Sequence, residues 1–351
     1  MTEILDLPFD QYQRYKLAAD LLEEVRPSGT RWRILDVGGR TALLRSFLPK
    51  DDVVLVDLEV SGEPGLVLGD GSELPFADAS FDVVTAFDTL EHVPPRRRKA
   101  FVDEVRRVAK RYVMLVGPYQ AKEVEEAERL LQRFMKDKLG VEHRYLEEHR
   151  RHGLPDRAAT EGQLKASGAK VASVAHGNLE RWLALICASM YMDYSVALRG
   201  IATRFFRFYN ANLYRSDHGL PVYRHAVVAA LGSARLPNGK AALAKPEMPE
   251  GGVAKLTELA FEVADFDRVV AEERRKTQEH VDLIVGMEKE LARHRQVLAD
   301  MLPELELMRS EIGRARELLI QNDATITALR AEMRDRWKNL RRAFGRKPPA
   351  P

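Results

Sequence analysis

The sequence predicts an α/β fold with an open, mostly parallel sheet, followed by an α-helical coiled coil. Three observations support this prediction. An apolar run at 32–37 ends in Asp-x-Gly and leads at once into a helical pattern, as in the strand–turn–helix corner of an open sheet. Further apolar runs alternate with helical patterns as far as residue 231, which is typical of α/β domains. Apolar residues then recur at every seventh position from Ile284 to Leu340, the repeat of a coiled coil.

The elements of the first part follow from periodicity and from helix breakers. An amphipathic pattern predicts a helix over 8–26, which Pro27-Ser28-Gly29 ends. Apolar runs typical of strands predict strands at 32–37, 53–57, 112–116, 169–174 and 223–230, with another that begins at Phe81. Helical patterns predict helices up to about Phe47, from Pro94 to about Ala109, and over about 120–139. A helical insertion at 179–220 is rich in aromatic residues and arginine.

The bulk composition excludes several classes of protein. A net charge of +2 over 351 residues provides no global field for binding nucleic acid. The single cysteine, Cys187, excludes an intrachain disulfide framework and fits a reducing compartment. The first residues have neither the basic region nor the long apolar run of a signal peptide. We therefore expect a cytoplasmic protein that does not bind nucleic acid.

Acidic residues follow the predicted strands at positions suited to a nucleoside ligand. Asp57 ends the second strand, about 20 residues after the first glycine, where a carboxylate can accept hydrogen bonds from ribose hydroxyls. Downstream come the stretches Gly69-Asp70-Gly71, Leu74-Pro75-Phe76 and Leu90-Glu91-His92-Val93. Over about residues 30–120 this order resembles the class I S-adenosylmethionine-dependent methyltransferases, most closely the group called methyltransferase type 11. The resemblance implies a Rossmann-like sheet, parallel with a terminal antiparallel hairpin, and S-adenosylmethionine as cofactor.

The resemblance also assigns roles to individual residues. The positions of Asp36 and Gly38 hold the methionine part of the cofactor, that of Asp57 the ribose, and that of Asp70 the adenine amino group. Phe87 lines the cofactor and acceptor side. The set of cofactor-binding residues implied in this way is Asp36, Gly38, Gly39, Asp57, Asp70, Gly71 and Phe87.

The glycine loop departs from the family pattern Asp-x-Gly-x-Gly-x-Gly. Arg40 stands at the second glycine position and Ala42 at the third. S-adenosylmethionine has no pyrophosphate for the helix N-terminus to bind, so a side chain at this place is compatible with the cofactor. The same departure argues against a dinucleotide enzyme. It also leaves open an alternative, a catalytically decayed methyltransferase-fold scaffold that acts through its coiled coil.

The resemblance implies methyl transfer, and we expect an oxygen acceptor in a glycan, a glycolipid or another small molecule. The candidates for a general base are His92, Glu91 and Asp88, just past the fourth strand, because sheet crevices open there. Of these we expect His92 and Asp88 to be the catalytic residues. The stretch His152-Gly153-Leu154-Pro155 and the coiled coil together resemble bacterial methyltransferases of surface polysaccharide biosynthesis. The insertion at 179–220 is the candidate determinant of acceptor choice.

A histidine-rich stretch leads into the sequence His152-Gly153-Leu154-Pro155. His143, Glu147, Glu148, His149 and His152 have spacings that could hold a metal ion. We expect a solvated helix face instead and predict no metal site.

The domain organisation follows from these patterns. We predict a methyltransferase domain at 1–231, a Pro- and Gly-rich linker at 232–254, a coiled coil at 255–345 and a disordered tail at 346–351. The heptads predict self-association or a partner helix, and Pro303 is expected to interrupt the rod or to start a new helix. The basic C-terminal end, with its aromatic residues, suggests a peripheral contact with the inner face of the cell membrane.

Overall fold

The structure is a computed structural model that describes residues 3–193, 198–240, 242–243, 254, 257–258, 261 and 265–344. The chain divides into two compact units, Met1–Val270 and Ala271–Pro351. Residues 241 and 244–253 of the predicted linker and the whole of the predicted tail lie outside the described residues.

A seven-stranded sheet organises the first unit. Its strands are β1 (Arg33–Val37), β2 (Asp52–Asp57), β3 (Leu66–Leu68), β4 (Phe81–Phe87), β5 (Ala109–Gly117), β6 (Lys170–Asn178) and β7 (Val222–Ala230). They lie in the order β3-β2-β1-β4-β5-β7-β6. The first five strands pair in parallel, whereas β7 is antiparallel to both β5 and β6. The predicted Rossmann-like sheet with a terminal antiparallel pair is therefore confirmed.

Strand register places three chain segments at one edge of the sheet. Val37, the last residue of β1, pairs with Val56 of β2 and with Ala86 of β4. The residues that follow β1, β2 and β4 therefore leave the sheet side by side. This carboxyl edge is where open α/β sheets bind ligands.

The described residues of the first unit contain eight α-helices in addition to the sheet. They are α1 (Phe9–Val25), α2 (Leu43–Phe47), α3 (Pro95–Val108), α4 (Lys122–Phe134), α5 (Arg144–His152), α6 (Arg157–Ala166), α7 (Leu179–Asp193) and α8 (Arg199–Asn212). A π-helical turn, Met135–Leu139, extends α4. The helices α7 and α8 confirm the helical character of the predicted insertion.

The sheet is covered on both faces, which explains its continuous apolar strands. Ile34 belongs to the apolar cluster that includes Leu21 and Leu22 of α1. Leu35, its neighbour in β1, belongs to the cluster on the other face, with Phe101 and other residues of α3. Alternation along the strand thus sends successive side chains into two separate cores.

One long helix, α9 (Phe266–Phe344), accounts for almost all the described residues after 264. It runs through Pro303, so the prediction that this proline would interrupt the rod or start a new helix is wrong. An internal proline removes one backbone hydrogen bond and costs about 3 kcal/mol, a local penalty within a helix of 79 residues. Within the described residues, no helix is both long and apolar enough to cross a membrane.

The heptad residues of α9 are exposed in the single chain. Leu298 is 63% exposed and Ile312 is 68% exposed, and other large apolar side chains of this helix are similarly uncovered. In the heptad frame that begins at Ile284, Pro303 falls at the outward position, opposite the apolar seam. The proline therefore leaves the seam itself continuous.

Candidate functional site

The loop after β1 presents bare backbone at the carboxyl edge. The N–H groups of Gly38 and Gly39 donate to the carbonyl of Val56, at 2.8 and 3.3 Å. Gly38 has φ of +80°, and a Cβ on it would lie 2.4 Å from Oγ1 of Thr89. A Cβ on Gly39 would lie 2.7 Å from the carboxyl of Asp36. No side chain fits at either residue without displacing Thr89 or Asp36, so the loop at the end of β1 consists of bare backbone packed closely on its neighbours.

Asp36 is buried directly beneath this loop, with 1% of its surface exposed. Its Oδ1 accepts a hydrogen bond of 3.0 Å from Thr85 Oγ1, whereas its Oδ2 has no hydrogen-bond partner within the described part of the chain. Burial, together with the nearby Asp57, raises the pKa of Asp36 to about 7. This carboxyl is therefore positioned to accept a hydrogen bond from, or to pair with, a cationic group placed above the loop.

Asp57 joins the segments that leave β1 and β2. Its Oδ2 accepts from the N–H of Arg40 at 3.3 Å, and its Oδ1 accepts from the N–H of Glu59 at 2.9 Å. Its carbonyl accepts from the N–H of Gly69 at 3.0 Å. Each carboxylate oxygen can accept a further hydrogen bond, so the group remains able to bind ligand hydroxyls.

Asp70 and Gly71 lie in the loop after β3. The Asp70 carboxylate accepts from the N–H of Ser72 at 2.8 Å and pairs with Arg97 at 2.6 Å. A Cβ on Gly71 would lie 2.4 Å from the ring of Phe101 and 2.9 Å from the side chain of Val37. The close packing on Val37 brings this loop against the end of β1. Arg97 was not found from the sequence, because α3 carries several arginines and only the fold selects one.

Arg40 and Ala42, which replace two glycines of the family pattern, are accommodated in different ways. The guanidinium of Arg40 forms an ion pair with Glu59 and donates to the hydroxyl of Tyr145 at 2.6 Å. Ala42, at the third glycine position of the family pattern, has φ of 54° and ψ of 12°. This left-handed conformation costs an alanine about 1–2 kcal/mol. The loop thus retains a backbone conformation that usually requires glycine.

Phe87 and Asp88 lie at the end of β4. The ring of Phe87 is buried and packs against that of Tyr15, with centroids 4.5 Å apart. Asp88 pairs with Arg14 and forms a bidentate pair with Arg224, at 2.9 and 2.6 Å. These two arginines outweigh the effect of burial and hold the pKa of Asp88 well below its usual range.

His92, the other candidate catalytic residue, lies among titratable groups beyond β4. Its Nδ1 is 3.0 Å from Oε2 of Glu148. Burial and the neighbouring His149 lower the pKa of His92 to about 4, so its imidazole is neutral at pH 7. Burial and the nearby Asp88 raise the pKa of the adjacent Glu91 to about 8.

His149 corrects the expectation of a solvated face. His149 is only 7% exposed, and its Nδ1 lies 2.9 Å from Oε1 of Glu128. Burial alone would lower the pKa of His149, but the hydrogen bond to Glu128 and the Glu91 carboxyl raise it. The spacing in the sequence did not show that the inner face of α5 packs over the carboxyl edge.

The predicted residues thus fall into two groups along this edge. The first group lies around the ends of β1 and β2 and in the loop after β3, and it comprises Asp36, Gly38, Gly39, Asp57, Asp70 and Gly71. Asp88 and His92 follow β4, beyond Phe87. The sequence did not identify the residues that fix them, Arg14, Arg97, Tyr145, Glu148 and Arg224.

Comparison with known proteins finds similarity to a known family in one segment of this unit. Residues 36–116 match the family model described as a methyltransferase domain. A curated protein of Encephalitozoon cuniculi that bears the name of a methyltransferase is 40% identical over 83 residues, which is 22% of this chain. The chain spans 40% of the length of that relative.

Solved structures of low identity are also similar. A SAM-dependent methyltransferase from Archaeoglobus fulgidus is 16% identical, with 62% of this chain and 94% of that one covered and a TM-score of 0.35. Magnesium protoporphyrin IX methyltransferase from Synechocystis PCC 6803 is 12% identical, with 64% and 83% covered and a TM-score of 0.37. The family match begins within β1, contains β2, β3 and β4, and ends within β5, so this segment of the sheet is similar to a methyltransferase domain.

Proposed function

We propose that this chain is an S-adenosylmethionine-dependent methyltransferase. The observation that carries the proposal is the cradle at the end of β1, within the matched methyltransferase segment. In this cradle the Gly38 N–H donates to the carbonyl of Val56, and the Arg40 N–H in the same loop donates to the Asp57 carboxylate. The proposal is supported by the sequence resemblance, which implies that the cofactor binds to these same residues. When bound, the cofactor supplies a methyl group activated by a positively charged sulfur.

The residues of the cradle fit such a ligand. Gly38 presents bare backbone, and the Oδ2 of Asp36, which has no hydrogen-bond partner among the described residues, offers a buried acceptor. Asp57 has acceptor capacity for ribose hydroxyls, and Asp70 for the adenine amino group. Phe87 and Tyr15 form an apolar wall beside the cradle. Such a wall excludes water and limits the orientations of the bound groups, which is how positioning accelerates a displacement.

The two predicted catalytic residues differ in what their surroundings allow. Asp88 is held as a carboxylate between Arg14 and Arg224, so taking up a proton would break both ion pairs. We therefore assign Asp88 the role of an anion that positions its neighbours. His92 is neutral at pH 7 and has a lone pair available to a proton or to a metal ion.

The proposed acceptor is a hydroxyl of a glycan or glycolipid of a bacterial surface polysaccharide. This finer assignment rests on the sequence resemblance described above and on the presence of a long helix after the domain. Mass spectrometry of surface glycans and lipid-linked intermediates, with and without the gene, tests it. We expect each modified residue to lose the mass of one methylene group in the deletion strain. Identical spectra would contradict the assignment.

We further propose that α9 self-associates as a coiled coil. The support is the exposed apolar seam, which includes Leu298 and Ile312 and which the described residues leave uncovered. A seam with a repeat of seven residues buries its side chains against another helix.

Charged substitutions in this seam are expected to convert the oligomer into a monomer. Leu298→Glu with Ile312→Glu would place like charges opposite each other in the association interface, and sedimentation velocity would detect the change in mass. The matched control is Gln296→Glu with Ser310→Glu, at outward positions two residues before each seam position. A wild-type protein that sediments as a monomer, or a seam variant that associates like the control, would contradict the proposal.

A further inference from the structure

We propose that Glu91, His92 and His149 bind one divalent transition-metal ion, for which zinc is the best fit. One ligand atom of each residue lies within 4.8 Å of those of the other two. Zinc bonds of about 2.0–2.2 Å would hold tetrahedral ligand atoms roughly 3.4 Å apart. The three side chains therefore need only a small closure around a common ion.

His149 has the surroundings of a metal-binding histidine. Its Nδ1 lies 2.9 Å from Glu128, and the hydroxyl of Tyr223 donates to the same carboxylate oxygen at 2.9 Å. Its Nε2 is buried and has no hydrogen-bond partner in the described part of the chain. Metal-ligating histidines commonly donate one ring N–H to a carboxylate, which leaves the other nitrogen for the metal.

Glu91 supplies a second buried atom that lacks a partner. The residue is 1% exposed, and its Oε1 accepts no hydrogen bond from the residues that the structure describes. A buried carboxyl without a partner is costly, and a bound cation would remove that cost. The His92 ring lies 4.7 Å from the His149 ring, and the carboxylate of Glu148 lies beside its Nδ1.

The donor set indicates the class of metal. Two imidazoles and one carboxylate form a mixed nitrogen and oxygen set, which suits zinc better than magnesium or calcium. Three protein ligands leave a fourth position open, as in catalytic rather than structural zinc sites. Glu91 and His92 follow β4 at the carboxyl edge, so the open position would be available to the acceptor.

The role of the ion rests on the proposed methyl transfer. A metal-bound acceptor hydroxyl loses its proton to water more readily than a free one. The acceptor oxygen then forms a bond to the methyl carbon while the carbon–sulfur bond breaks, and S-adenosylhomocysteine leaves as a neutral thioether. In this scheme His92 is a metal ligand, and no general base is needed because the metal-bound hydroxyl loses its proton to water.

Titration of the full chain with zinc chloride tests the site. Protein stripped by a chelator and dialysed should bind one zinc ion per chain, measured by calorimetry or against a chromophoric chelator. His149→Ala and Glu91→Gln should each weaken binding by roughly 100-fold. The matched control is His152→Ala, on the same helix but outside the cluster, and it should bind like the wild type.

Measuring S-adenosylhomocysteine binding in the same samples separates the two proposals. Loss of zinc binding with retained S-adenosylhomocysteine binding shows that a variant is folded, and it supports the metal site. If His149→Ala fails to fold, zinc binding to Glu91→Gln, a substitution that preserves the size of the side chain, tests the site instead. A wild type that binds S-adenosylhomocysteine but no zinc, or variants that bind zinc like the control, would overturn the metal site. Zinc binding without S-adenosylhomocysteine binding would support the metal site but overturn the proposed function.

Discussion

Replacing Gly38 with alanine is expected to weaken S-adenosylhomocysteine binding by roughly 100-fold or more, because the substitution displaces the loop on which the ligand is proposed to lie. The new Cβ would lie 2.4 Å from Oγ1 of Thr89. That hydroxyl already interacts with the carbonyls of Phe87 and Val37, at 2.9 and 3.2 Å, so it cannot move away freely. The loop itself must therefore shift, and calorimetric titration would measure the resulting loss of affinity.

Gly29→Ala is the matched control for this substitution. Gly29 also has positive φ, +71°, but a Cβ there would meet nothing within 4 Å. Both variants strain the backbone, whereas only Gly38→Ala changes the cradle. Denaturant unfolding of each variant would report the strain, and the control should retain wild-type affinity. Equal affinity of the Gly38 and Gly29 variants would show that the ligand does not approach this backbone.

Substitution of Asp57 with alanine should weaken S-adenosylhomocysteine binding by roughly 10- to 100-fold, the effect of losing hydrogen bonds to a charged group. The variant also frees the N–H groups of Arg40 and Glu59, which the carboxylate now holds. Calorimetry measures the affinity, and thermal unfolding measures any loss of stability.

The same strand offers the control for Asp57. Asp52 begins β2 at the opposite edge of the sheet, where its exposed carboxylate lies 3.9 Å from Arg33. An exposed pair of this kind contributes little to stability, so Asp52→Ala should bind the ligand like the wild type. If both aspartate variants bound equally well, the assignment of the ribose to Asp57 would be wrong.

The strands and the glycine turn could be predicted because their signals are local. The apolar run at 32–37 and the strand-end Asp57 are each readable within a few residues. Both take the expected place, because β1 spans Arg33–Val37 and β2 ends at Asp57. β3, with only three residues, is too short to show a pattern. Pro303 was misread because a local rule was applied to a helix long enough to tolerate one missing hydrogen bond.

The chemistry of the site depended on contacts that no local pattern contains. Asp88 pairs with Arg14 and Arg224, which are 74 and 136 positions away in the sequence. His149 was expected to be solvated, because its neighbours on α5 are charged and nothing in the sequence shows which face packs inward. The candidate residues were therefore predictable by type, but their protonation and partners required the fold.

The central claim is that the end of β1 binds an adenosyl ligand, and titration of the wild-type protein with S-adenosylhomocysteine tests it most directly. Isothermal calorimetry should give one binding site per chain, and the affinity should fall in Asp57→Ala but not in Asp52→Ala. The absence of any binding heat from folded wild-type protein, with unchanged thermal stability in excess ligand, would contradict the claim. The alternative of a methyltransferase-fold scaffold that acts through α9 would then account for the chain better.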